Sequence, residues 1–148
     1  MKYLHSIYVI LLIGLISCNQ TELKNKVFTE KAPKPIGPYS QAITTGDFIF
    51  VSGQIAINPT DNKLDTTSIE NQTKVVMENI KNILEAAQSD LNRVVKTTVF
   101  IKDIKKFAEF NKVYSEYFDS IPPARETVEV SALPKNAGIE ISVIALKK

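Results

Sequence analysis

The sequence predicts an α+β domain in which two helices lie on one face of a mixed β-sheet. Its 148 residues, 44% apolar and 23% charged, suit one globular domain able to build its own core. From residue 27 onward, stretches of period two alternate with stretches of period 3.6. Their order is hairpin, helix, strand, helix, strand, strand, the pattern of a two-layer α+β fold.

Residues 40–45 and 48–52 are rich in β-branched and aromatic side chains, and Gly46-Asp47 between them reads as a tight turn. Pro59 and Asp61-Asn62 mark a loop. Thr67-Ser-Ile-Glu70 matches a capping box, and Val76, Ile80, Ile83, Leu84 and Ala87 follow at helical spacing. Residues 97–102 read as a strand. Asp103 then caps a second helix whose apolar stripe is Phe107, Phe110, Val113, Tyr114, Tyr117 and Phe118, and Pro122-Pro123 stops it. Residues 126–132 and 139–146 read as the closing strands, separated by a turn at 134–138.

Residues 1–17 read as a lipoprotein signal peptide: Lys2, then an apolar run from Ile7 to Ile16, too short to span a bilayer. Leu15-Ile16-Ser17-Cys18 resembles a lipobox, so Cys18 is the expected lipidation site and the expected location is exported and membrane-anchored. The alternatives are a signal peptide with an incidental cysteine cleaved elsewhere, and a cytoplasmic protein with a misassigned start. Residues 18–26 are expected to be the lipidated cysteine and a polar tether without structure, and 27–148 the domain.

The net charge of the chain is +2, and Lys2 accounts for one unit of it, so the domain carries no electrostatic footprint for nucleic acid. His5 and Cys18 are the only histidine and cysteine. With both in the leader, the domain lacks the groups for a Ser-His-Asp or Cys-His mechanism and the nitrogen and sulfur ligands of a zinc site. No Gly-rich phosphate loop is present. Chemistry is left to carboxylates, lysines, tyrosines, arginine and the backbone.

Several strands are apolar on both parities: Phe48 and Phe50 against Ile49 and Val51, Val99 and Ile101 against Phe100, Ile141 and Val143 against Ile144 and Leu146. Two helices cover only one sheet face, so self-association through the other is expected. Arg125 is one of only two arginines among the 18 basic residues. It opposes Val128 and Val130 in strand parity, and Glu140 opposes Ile139, Ile141 and Val143. If the helices cover the valine face, both charges lie on the other. There Arg125 either binds Glu140 as a structural ion pair or grips a substrate carboxylate while Glu140 handles water and protons. Glu126 reads as structural.

Six motifs in order are similar to those of one family: Ile36-Gly-Pro-Tyr-Ser-Gln41, Val51-Ser-Gly-Gln54, Val95-Lys-Thr-Thr-Val-Phe-Ile-Lys-Asp103, Phe110-Asn-Lys-Val-Tyr114, Pro122-Pro-Ala-Arg125 and Ile139-Glu-Ile141. From about Val27 to Lys148 the chain resembles the RidA/YjgF/YER057c/UK family. The resemblance implies a chorismate-mutase-like fold with a six-stranded mixed sheet, a homotrimer, and active sites in the clefts between subunits. It also implies hydrolysis of reactive enamines and imines such as 2-aminoacrylate to 2-oxo acids and ammonia, with no cofactor. By the same resemblance, Arg125 and Glu140 are the catalytic residues: Arg125 clamps the substrate carboxylate, and Glu140 orients water and relays protons. Tyr39 lines the pocket, Gly53 offers a backbone amide, Thr127 its backbone carbonyl, and Asn111 shapes the cleft from a neighbouring subunit. The alternatives are a non-catalytic module holding small carboxylates at the cell envelope and an endoribonuclease.

Overall fold

The computed structural model describes residues 23–148, so the expected signal peptide, Cys18 and the first part of the expected tether lie outside the described residues. The strands are β1 (Asn25–Val27), β2 (Ala42–Thr45), β3 (Phe48–Ile55), β4 (Val94–Ile101), β5 (Ala124–Glu129) and β6 (Ile139–Leu146); the helices are α1 (Ile69–Ala86) and α2 (Phe107–Tyr114). They form the expected α+β arrangement, one mixed six-stranded sheet of order β1-β2-β3-β6-β4-β5. Only the β4–β5 pair is parallel, as the intervening α2 crossover requires.

The alternation expected for β6 is realised: Ile139, Ile141, Val143 and Ala145 are buried while the residues between them are partly exposed. With Val99 and Ile101 of β4 they meet Val76, Met77, Ile80, Ile83 and Leu84 of α1 and Phe110 of α2. Helix α1 thus has the core face its spacing predicts. Gly46, at φ +50°, makes the β2–β3 turn in a conformation that costs a side-chain-bearing residue more.

Four local expectations are corrected. Residues 25–26 belong to β1, where Asn25 and Lys26 pair with Thr44 and Ile43; backbone hydrogen bonds to β2 order them without any apolar pattern. The cap of α1 is Ser68, whose hydroxyl accepts from the Asn71 N–H at 3.2 Å; Thr67 is engaged by Asp65 instead, through its N–H and its hydroxyl. Asp103 caps as expected, accepting from the Lys105 N–H at 3.0 Å, but it opens a short 3₁₀ turn that precedes α2. Strand β5 starts two residues earlier than expected and ends at Glu129.

The fifth correction concerns Arg125. It pairs with the fully buried Thr97, and Thr127 pairs with the fully buried Val99, so both lie on the helix-covered face. Val128 points to the open face and is 47% exposed. Strand β5 is at the sheet edge, where α2 offers aromatic rings to a side chain and no closed core, so an arginine takes the inward position and a valine the outward one. Glu140 does lie on the open face, paired with Phe100. Arg125 and Glu140 therefore occupy opposite faces of the sheet. On the open face Phe48 and Phe50 are 45% and 44% exposed, and Lys96 and Thr98 bind Glu126, which has the structural role expected of it.

Candidate active site

Glu140 projects from β6 toward β3, where the pairing slips by one residue between Val51 and Gln54. This bulge contains Gly53. A Cβ at Gly53 would overlap Oε1 of Glu140 and stand 2.8 Å from its Cδ, so the carboxyl group lies in the space that the missing side chain leaves. Burial there raises the Glu140 pKa above its ordinary value. Glu140, Gly53 and Tyr39 line one cavity of about 250 Å³ together with Ser52, Ile36 and Lys34. The Tyr39 hydroxyl accepts from the Ile36 N–H at 3.2 Å, which folds the ring back against its own loop.

Arg125 lies elsewhere. Its guanidinium carbon stands 4.7 Å from the ring centre of Tyr114, 5.0 Å from Phe110 and 5.6 Å from Phe107. Three π faces hold the cation without neutralising it, and no salt bridge to Arg125 is formed among the described residues. Tyr114, whose pKa burial raises, donates from its hydroxyl to Thr97 Oγ1 at 2.9 Å and so fixes the platform to β4. Arg125 and Asn111 line an open cleft with Phe118, Asp119 and Pro123. The planar fork of the guanidinium is free to bind a carboxylate through two parallel hydrogen bonds.

The structure thus divides the sequence-predicted residues into two groups. Tyr39, Gly53 and Glu140 share one cavity, while Asn111 and Arg125 share the other cleft. Thr127 lies beside Arg125 on the same face of β5, and its buried Oγ1 has no hydrogen-bond partner among the described residues. Two strand spacings, about 10 Å, separate β5 from β6 across β4, so the two groups do not meet within one copy. Sequence reasoning missed the Phe107–Phe110–Tyr114 platform, whose residues read only as core. It also missed Gln41, whose place in the quoted Ile36–Gln41 motif was the available signal.

Comparison with known proteins fits this architecture. Residues 29–147 match the family model described as Endoribonuclease L-PSP. A RutC family protein of Pyrococcus abyssi is 58% identical over 125 residues, which cover 84% of this chain and 98% of the relative. Reactive Intermediate Deaminase A, chloroplastic, of Arabidopsis thaliana is 45% identical over 122 residues, covering 82% of this chain and 65% of that protein. The solved structure of E. coli TdcF with bound serine superposes at a TM-score of 0.81 with 36% identity, covering 84% of this chain and 99% of that one. Fold and likeness together define an α+β domain of the class that includes reactive intermediate deaminases. The chain belongs to the RidA/YjgF family, also described as Endoribonuclease L-PSP.

The same comparisons overturn the expected export and membrane anchoring. The Pyrococcus relative is matched over nearly its whole length by 125 residues, the length of the domain alone, so a leader with an acylated cysteine does not come with this family likeness. The exported, lipid-anchored location is withdrawn; Cys18 itself lies outside the described residues.

Three outcomes follow from this geometry. Gly53→Ala leaves folding nearly unchanged, because only the flexible end of Glu140 must yield, but displaces the carboxyl group; thermal unfolding and the raised Glu140 pKa, read by carbon NMR, report the two effects separately. Thr127→Val removes a buried hydroxyl without a partner and raises stability by about 1 kcal/mol in denaturant unfolding. Because burial raises the folded-state pKa of Glu140, its contribution to stability is complete below the ordinary glutamate value and is lost as pH rises through the raised one. Glu140→Gln is therefore more stable than wild type at neutral pH and equal to it near pH 3.5, about a unit below an ordinary glutamate pKa, as comparison of melting temperatures will show.

Proposed function

We propose that this protein hydrolyses reactive enamine and imine intermediates of the 2-aminoacrylate type to 2-oxo acids and ammonia, at sites completed between adjacent copies in a homotrimer. The observation that carries the reading is the division of the site: a cation poised for a carboxylate and a half-buried carboxyl group stand on opposite faces of one sheet. Closed cyclic assembly brings the Arg125 cleft of one copy against the Glu140 cavity of the next. The open sheet face, with Phe48, Phe50 and Val128 exposed, supplies apolar surface for that contact.

In this reading the enamine first tautomerises to the imine, its terminal carbon gaining a proton as the nitrogen loses one. Arg125 grips the carboxylate by two hydrogen bonds, which orients C2 toward the Glu140 side. Water adds to C2 of the imine: a C–O bond forms, the C=N π pair becomes a nitrogen lone pair, and Glu140 relays the proton lost by water to that nitrogen. Collapse of the carbinolamine passes the hydroxyl proton to nitrogen through Glu140, breaks the C–N bond, forms the carbonyl and releases ammonia. A carboxyl group whose pKa is raised by burial holds a proton more readily than an exposed one, which suits it to giving and taking that proton. The Gly53 amide and the Thr127 backbone carbonyl contact the reacting carboxylate and nitrogen, Tyr39 walls the Glu140 side, and Asn111 walls the Arg125 side. The residues invoked require no cofactor for these steps.

The named deaminase relative and the serine bound to TdcF support the substrate class, since serine carries a carboxylate and a nitrogen on one carbon. The ribonuclease description of the family model has less physical support here, because the near-zero net charge of the domain offers little to an RNA backbone.

A serine or threonine dehydratase supplies 2-aminoacrylate, and pyruvate formation is followed with and without this protein. Wild type accelerates the step, whereas Arg125→Ala and Glu140→Gln each lose most of that acceleration. Co-assembling the two variants regenerates sites at interfaces where an intact Arg125 meets an intact Glu140, restoring about a quarter of wild-type activity for random trimers. Absence of any recovery rules out a shared site. Binding of 2-oxo acids by an inactive wild type indicates a carboxylate-binding module, and RNA cleavage lost in Arg125→Ala indicates the ribonuclease.

A further inference from the structure

We propose that Gln41 is a positioning residue that fixes two walls of the Glu140 cavity at once, its side-chain amide holding the loop at 29–34 and its backbone carbonyl holding Ser52 beside Gly53. This rests on the reading that the Glu140 cavity belongs to the reaction site. Gln41 is 1% exposed, among the most buried polar residues described. Its Oε1 accepts from the Thr29 N–H at 2.7 Å, and its two Nε2 hydrogens are shared among the carbonyls of Thr29, Pro33 and Ala32 at 3.0, 2.9 and 3.2 Å. The paired bonds to the N–H and C=O of Thr29 imitate one rung of a β-ladder, made by a side chain.

The loop depends on such an external partner. Pro33, Pro35 and Pro38 carry no N–H, so this stretch has few donors with which to satisfy its own carbonyls. Pro33, Lys34 and Ile36 from the loop form one side of the cavity. On the other side the backbone carbonyl of Gln41 accepts from the Ser52 N–H at 3.0 Å, and the Ser52 hydroxyl donates to the Ser40 carbonyl at 2.7 Å. Ser52 is the residue before Gly53, on which the Glu140 carboxyl group is seated. One buried glutamine therefore sets the separation between the loop and the bulge. Among the described residues, Lys34, which reaches Glu30 at 3.3 Å on the surface, is the only other charged side chain lining the cavity. The loop thus forms one wall of the cavity that holds Glu140.

The test is Gln41→Met in the full chain, which keeps the volume and removes every amide bond. The expected result is a folded protein whose KM for the enamine rises about tenfold with a smaller change in kcat. The carbon NMR titration of the Glu140 carboxyl is expected to move down toward the ordinary glutamate range as water enters. A role confined to stability would lower the melting temperature and leave KM and the titration unchanged, and that result overturns the proposal. If the variant does not fold, hydrogen exchange on wild type decides: the Thr29 amide is expected to be protected like those of β3, and exchange at the rate of a free loop overturns the assignment. If wild type fails to hydrolyse imines, the proposed activity falls, while the titration and exchange still decide the role of Gln41.

Discussion

The position of the Glu140 carboxyl group depends on the absence of a side chain across the strand boundary. A carboxyl group on a sheet face ordinarily turns to water; here it lies down over β3, because the one-residue slip between Val51 and Gln54 brings Gly53 underneath it. The same placement half-buries the acid and raises its pKa, so the local geometry and the proton affinity have one cause. The cavity wall around it is then held by hydrogen bonds from Gln41 and Ser52, whose partners are backbone groups of the loop and of the residues entering β2. Backbone partners define a distance more sharply than long side chains do, since they carry no rotamer freedom of their own.

The second group of candidate site residues holds its charge by a different means. Arg125 sits over three aromatic rings contributed by α2, which give it a fixed plane and leave its hydrogen-bonding edge without a partner among the described residues. Helix α2 therefore serves two purposes with one stripe of residues. Phe110 and Tyr114 close the core against the sheet, and their outer surfaces support the guanidinium. A carboxylate in that place would lock the arginine into a structural ion pair. The uncharged support keeps it available.

Much of this was legible in the sequence, for reasons that can be stated residue by residue. The period-two pattern of 139–146 gives β6 its observed bounds, and the apolar spacing of Val76, Ile80, Ile83 and Leu84 gives α1 its core face, because both signals arise within one element. The doubly apolar strands correctly indicate a sheet with one uncovered face. Strand β1 was not legible, since Asn25 and Lys26 carry no pattern and are ordered only by their partners in β2. The face of Arg125 was misread because parity says which residues share a side but not which side is covered. At an edge strand the apolar residue can be the outward one, as Val128 is. That error hid the division of the candidate site, and the seat of Glu140 on Gly53 was hidden because it joins strands far apart in the chain.

The order of the sheet also bears on how the molecule comes into being. Strand β6, the last element, lies between β3 and β4, so two blocks made earlier, β1 to α1 and β4 to β5, have no ladder joining them until residues 139–146 arrive. Until that segment is made, β3 and β4 lack a partner on the sides that β6 occupies in the folded sheet. The sheet therefore cannot be joined into one until residues 139–146 are available, and loss of this segment removes the keystone rather than trimming a margin.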